Sequence, residues 1–210
     1  MRKIQLKQVL RNKRFVLFTI ILPIGWYIFF YHLQKGVSPS ILLGIAVFIG
    51  VIGNSLATFS KRIASDIGFY SFESRFTSYS VKNYLWDQSI VQLILNSLIF
   101  LAVLVVAVLG FHFPVTTSLL VQFFLLSLMG IYFSVIGFVL GVRVDAKTID
   151  TIGFPVIILA AMTIIPFDTL GASGGFMDLV GKLQRVFPGY YYTKLIQDLT
   201  EKQTIDVSQL

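Results

Sequence analysis

A chain of 210 residues has the length of one domain, but apolar residues make up 56% of it, aromatics 15% and charged residues only 13%, with a mean hydropathy of +0.81. So few charges cannot cover so much apolar surface in water, which excludes an ordinary cytosolic enzyme, and a disordered chain needs low hydrophobicity. The lack of cysteine excludes disulfides, thiolate chemistry and cysteine-bound zinc. The net charge of +7 gathers beside apolar runs, as membrane topology requires.

Residues 1–14 carry six Lys or Arg and precede a first apolar run, Phe15 to Leu33. No small-residue cleavage site follows it, only Phe29-Phe30-Tyr31-His32-Leu33, so an uncleaved anchor fits better than a signal peptide. A bilayer core of about 30 Å asks for about 20 apolar residues. Four further runs answer that demand: 41–60, 89–111, 118–140 and the shorter 152–167, which contains Pro155 and Pro166. The chain thus reads as one all-α, polytopic transmembrane domain over residues 1–210, with five predicted spans. Lys and Arg number 6, 1, 4, 0 and 2 in successive non-span segments up to residue 151. That alternation places the N-terminus, 61–88 and 141–151 in the cytoplasm.

The spans themselves hold no Asp, Glu, Lys or Arg. Proton-coupled carriers and intramembrane metalloproteases need such groups there. Neutral polar residues occur instead. Asn54, Thr58, Gln92, Asn96 and Gln122 are candidates for a substrate path, weighed against plain hydrogen bonding between helices. Gly130, Gly137 and Gly141 suit close helix packing. The stretch from Gly175 to Lys182 misses the phosphate-loop spacing and lacks the Ser or Thr after the Lys, so energy for any work must enter from another chain.

The segment 61–88 is long and rich in aromatics, with Phe69, Tyr70, Phe72 and Phe76 near Glu73 and Arg75. It reads as helical extensions of the second and third spans joined by a short helix exposed to a partner. Beyond the fifth span, Gly171 to Gly175 has loop chemistry, and Phe176, Leu179, Val180, Leu183 and Phe187 mark an amphipathic helix. Pro188-Gly189 breaks it, and Tyr190 to Leu199 restart it.

This layout resembles the membrane subunit of an ABC exporter of the type-2 permease family. Residues 1–14 are similar to that family's basic in-plane helix, with Leu6, Val9 and Leu10 toward lipid. Residues Ile63 to Tyr79 are similar to its cytoplasmic coupling helix. Phe187-Pro188-Gly189-Tyr190 is similar to the Pro-then-Tyr motif ending its extracellular re-entrant helices, here within 168–200. A sixth span has no counterpart, since 201–210 is polar. The resemblance implies a non-enzymatic permease in the cytoplasmic membrane, with a second permease chain, identical or homologous. It implies two ATPase subunits that hold the ATP and Mg, with no cofactor on this chain. Phe69, Tyr70, Phe72, Glu73, Arg75 and Phe76 would then bind the ATPase. The competing readings are an ATP-independent channel, a membrane assembly factor and an intramembrane enzyme.

Overall fold

Alternation of long apolar runs with short breaks produces helices throughout. A computed structural model describes residues 2–33, 37–76, 80–165 and 174–208, and their regular structure is entirely helical. Helix α1 is Arg2–Arg11, and α2 covers 13–33 with a π-helical stretch at Val16–Ile21. Helix α3 covers 39–76 with a second π-helical stretch at Gly53–Phe59. Then come α4 (Val81–Phe111), α5 (Ser118–Arg143), α6 (Ala146–Ala161), α7 (Gly175–Gln184) and α8 (Pro188–Ser208).

Helix α3 is the axis of the bundle. Pro39 opens it, where the fixed φ suits a first turn and the missing N–H costs nothing. Every residue from Ile41 to Ile52 is buried, as expected of a helix that is apolar all round. Among the described residues three helical stretches are long and apolar enough to cross a membrane: Pro39–Gly68, Asn83–Phe111 and Ser118–Arg143. The first has 83% of its apolar window buried within the protein, the others 33% and 28%, so α4 and α5 flank α3 and turn one side outward. On α5 the exposed side is Leu120, Phe124, Leu128, Ile131, Val135 and Val139. An unbroken apolar stripe of that length suits hydrocarbon and not water.

The other two predicted spans are shorter as helices. The first corresponds to the apolar helix Thr19–Leu33. The fifth corresponds to α6, which starts six residues earlier than the apolar pattern suggests because Asp145 caps it. Pro155 lies inside α6, and positions 166–167 of that predicted span lie outside the described residues.

The structure corrects two expectations. Among the described residues no separate helix joins the second and third spans: α3 continues to Phe76 and α4 begins at Val81. Nothing between 60 and 76 stops an established helix, since the stretch has no Pro and propagation costs far less than nucleation. Helix α1 also does not turn its apolar side to lipid. Val9 is buried with Phe15, Val91 and Leu95, and Leu6 packs against that cluster, so α4 covers both, and of the three residues Leu10 alone is exposed.

Small residues bring α5 against α3. A Cβ on Gly137 would overlap the backbone carbonyl of Ser55, and one on Gly141 would overlap the carbonyl of Ser60 and stand 2.7 Å from Ile63 Cβ. Such backbone approach is how apolar helices gain contact without a hydrophobic drive in lipid. At the far end, Tyr192 of α8 lies over Gly44. Thr193 Oγ1 donates to Ile164 O at 2.9 Å, and Gln184 Nε2 donates to Ile165 O at 2.8 Å. These side chains satisfy carbonyls of the turn that follows α6, and they fix α7 and α8 to the end of the bundle opposite α1.

Candidate functional site

Among the described residues, a closed polar junction lies between α3, α4 and α5, and an open cleft lies between α2, α3 and α6. The junction forms at the π-helical stretch of α3. Asn54 Nδ2 donates to Asn96 Oδ1 at 2.9 Å. Gln92 Nε2 donates to Ser55 Oγ at 3.2 Å, and Ser134 Oγ lies at the same distance from that oxygen while giving its one proton to a backbone carbonyl. The carbonyl is that of Gly130, at 2.6 Å. Gly130 makes the arrangement feasible, since a Cβ there would collide with the Asn96 amide. Two turns nearer the other end, Gln122 Nε2 donates to Ser40 O at 3.1 Å. Asn54, Gln92, Asn96 and Gln122 are therefore buried and joined across helices. Each such bond contributes about 0.6–2 kcal/mol in a membrane setting.

Thr58 stands elsewhere. It lines the cleft, an opening of about 1180 Å³, somewhat above the roughly 300–1,000 Å³ usual for small-molecule sites. Trp26 and Phe30 of α2 form one wall, Ile157 and Ile158 of α6 another, and Ile49, Gly53 and Ala57 of α3 the floor. The same π-helical stretch serves both features, sending Asn54 and Ser55 inward while Gly53, Ala57 and Thr58 face the cleft. Wide turns of this kind recur at functional sites.

One end of the cleft is charged, with Lys61, Arg62, Ser65, Asp66 and Asp150 around it. Lys61 pairs with Asp150 and so ties α3 to α6. Its side chains are 38% and 54% exposed, so this bridge contributes no more than about 1 kcal/mol. Arg62 is different. All three of its guanidinium nitrogens are buried without a hydrogen-bond partner. The guanidinium sits over the Phe59 ring, 5.3 Å from its centroid, a contact worth about 0.5–2 kcal/mol. That does not offset the several kcal/mol that burying an unpaired charge costs.

No family model, curated protein or solved structure matches this chain. The site is therefore judged on its geometry.

Among the described residues no group of three His, Asp or Glu stands together to hold a metal. The side chains of Phe69, Tyr70, Phe72, Glu73, Arg75 and Phe76 lie outside the described residues, while their backbone is on α3. Arg62, Asp66 and Asp150 were not singled out from sequence, where Arg62 counts only as a topology-setting charge. The available signal is an Arg–Asp pair at i and i+4 directly after an apolar run.

Just beyond the charged end, Asp145 caps α6. Its carboxylate accepts from the N–H groups of Lys147 and Thr148 at 3.0 and 2.9 Å and from the Thr148 hydroxyl at 2.6 Å. These bonds, that of the Thr148 hydroxyl first, hold the Asp145 carboxyl below its usual range.

Proposed function

We propose that this chain is the transmembrane permease subunit of an ATP-driven ABC exporter of the type-2 family, working in the cytoplasmic membrane with its N-terminus inside. The observation that carries the reading is the length of the α3–α4 hairpin. The 30 residues of Pro39–Gly68 extend about 45 Å and the 31 of α4 about 46 Å, against a hydrocarbon core of about 30 Å. Both helices therefore run well past the core. On α3 and α4 the charges lie at the ends nearest one another in sequence, on 61–88. A rigid hairpin of that kind carries force from a soluble motor into the spans. Its tie to α6 through Lys61 and Asp150 shares the motion with a wall of the cleft.

In this reading α2 and α6 are the first and fifth spans, and the cleft, with Thr58 on its wall, is this chain's share of the substrate path. Asn54, Gln92, Asn96 and Gln122 hold the bundle together beside that path. Two ATPase subunits bind the hairpin through Phe69, Tyr70, Phe72 and Phe76, with Glu73 and Arg75 as rim charges, and they hold the ATP and Mg. A second permease chain completes the path. The chain itself hydrolyses nothing.

The test is recovery of ATPase with the double variant Phe72→Ala, Phe76→Ala, measured beside membrane expression. Truncating a central aromatic anchor often costs about 2 kcal/mol or more, so expression should persist while ATPase recovery falls. Full recovery with both aromatics gone would move the partner site away from the hairpin.

A further inference from the structure

A buried guanidinium with every N–H donor unused needs an acceptor, and none of the described neighbours supplies one. Lys61 is taken by Asp150. Asp66, one helical turn along, favours the charge of Arg62 through space but makes no hydrogen bond to it. Arg62 lines an open cleft whose other walls are mostly apolar, and its nitrogens are shut from solvent over Phe59, so an acceptor meets them only as part of something that enters the cleft and turns the side chain toward it. From Thr58 back to Ile49 the floor extends about 14 Å along α3. That is close to one leaflet's share of a hydrocarbon core about 30 Å thick. A polar seat at one end of a leaflet-deep apolar trough is the shape of an amphiphile.

The geometry points to a binding site for a single amphiphile with a phosphate or carboxylate head, its head on Arg62 and its hydrocarbon chain along Thr58, Ala57, Gly53 and Ile49. The planar fork of Arg62 suits two oxygens of one such head. Trp26 and Phe30 close over the chain from α2, and Ile157 from α6. Lys61 and Asp150 cancel one another at the mouth, and Asp66 offsets the charge of Arg62 without using its donors, so it is the free N–H fork of Arg62 that selects the head. That the occupant is the exporter's cargo rests on the permease reading, whereas its binding needs no ATPase.

The full chain, purified in dodecyl maltoside, is titrated with dodecyl phosphate, and bound ligand is counted by native mass spectrometry. Inorganic phosphate and the Arg62→Gln, Arg62→Lys and Gly53→Leu variants are run beside it. Gly53→Leu directs a side chain into the trough, where the nearest atom to a Cβ is Ile157 Cδ1 at 3.9 Å, so it blocks the chain while Arg62 stays. Dodecyl phosphate should bind the unmodified protein at least tenfold more tightly than Arg62→Gln or Gly53→Leu. Arg62→Lys should retain part of that affinity, and inorganic phosphate should bind at least tenfold more weakly. Equal affinity in Arg62→Gln or in Gly53→Leu would overturn the site. Inorganic phosphate binding as tightly as dodecyl phosphate would overturn the amphiphile and leave a free-anion site. Binding as expected, with no ATP-binding chain recovered from the native membrane in a mild detergent, would defeat the permease reading and keep the site, and the reverse pair of results would do the opposite.

Discussion

Gly137 of α5 faces the backbone carbonyl of Ser55 so closely that even a methyl group would overlap it. The neighbour is main chain, in the middle of a buried helix, and cannot step aside as a side-chain tip does.

Gly137→Ala should therefore destabilise the protein by about 1–3 kcal/mol, the usual cost of overpacking. Gly25→Ala is the matched control, since nothing lies within 4 Å of its Cβ position. It should be neutral or gain up to about 1 kcal/mol from helix propensity. Thermal unfolding in one detergent compares the two, and a Gly137→Ala midpoint at or above that of Gly25→Ala would refute the packing account.

The Asn54–Asn96 bond should behave as a coupled pair. Asn96→Leu removes the acceptor from a fully buried donor, whereas the double variant Asn54→Leu, Asn96→Leu removes both partners. A double-mutant cycle should give a coupling of about 0.6–2 kcal/mol. A coupling near zero would mean that each amide acts alone.

Acid should loosen the start of α6. Asp145 has its carboxyl held below the ordinary value of 3.8 in the folded protein. A depressed folded value contributes stability that is complete above the unfolded value and lost as pH falls through the folded one. The window thus lies below about pH 4. Amide exchange at Lys147 and Thr148 should accelerate, relative to mid-helix amides, on going below that pH. Asp145→Asn, which caps without titrating, should flatten the dependence; an unchanged dependence would assign it to another group.

Orientation is open to direct labelling. Cysteines placed at Lys35 and Thr116 should react with an impermeant reagent from outside intact cells, and those at Ser78 and Lys147 should not. Reaction at Ser78 would invert the topology.

Much of the fold is legible in the sequence because apolar run length and helix length are the same constraint. The runs 41–60, 89–111 and 118–140 each lie within one helix. Stripe residues such as Gly137 and Gly141 announce close packing through their spacing alone. What stays hidden is partnership between distant segments. Nothing near Val9 says that Val91 and Leu95 cover it, and nothing near Asn54 names Asn96 over Gln122. Helix ends shift for local reasons: Asp145 starts α6 early, and the lack of a breaker after Ser60 lets α3 continue to Phe76. The cleft is the least legible feature, since it needs three helices at once and its buried cation, Arg62, has the ordinary sequence surroundings of a cytoplasmic flank.

The most direct test of the permease reading is identification of the chains that copurify with this one from its native membrane in a mild detergent. ATP-binding subunits should be recovered in amounts equal to the permease chains, with MgATP hydrolysis present in the complex and absent from this chain purified alone. A chain recovered without any ATP-binding partner, or one that hydrolyses MgATP by itself when free of contaminants, would contradict the account.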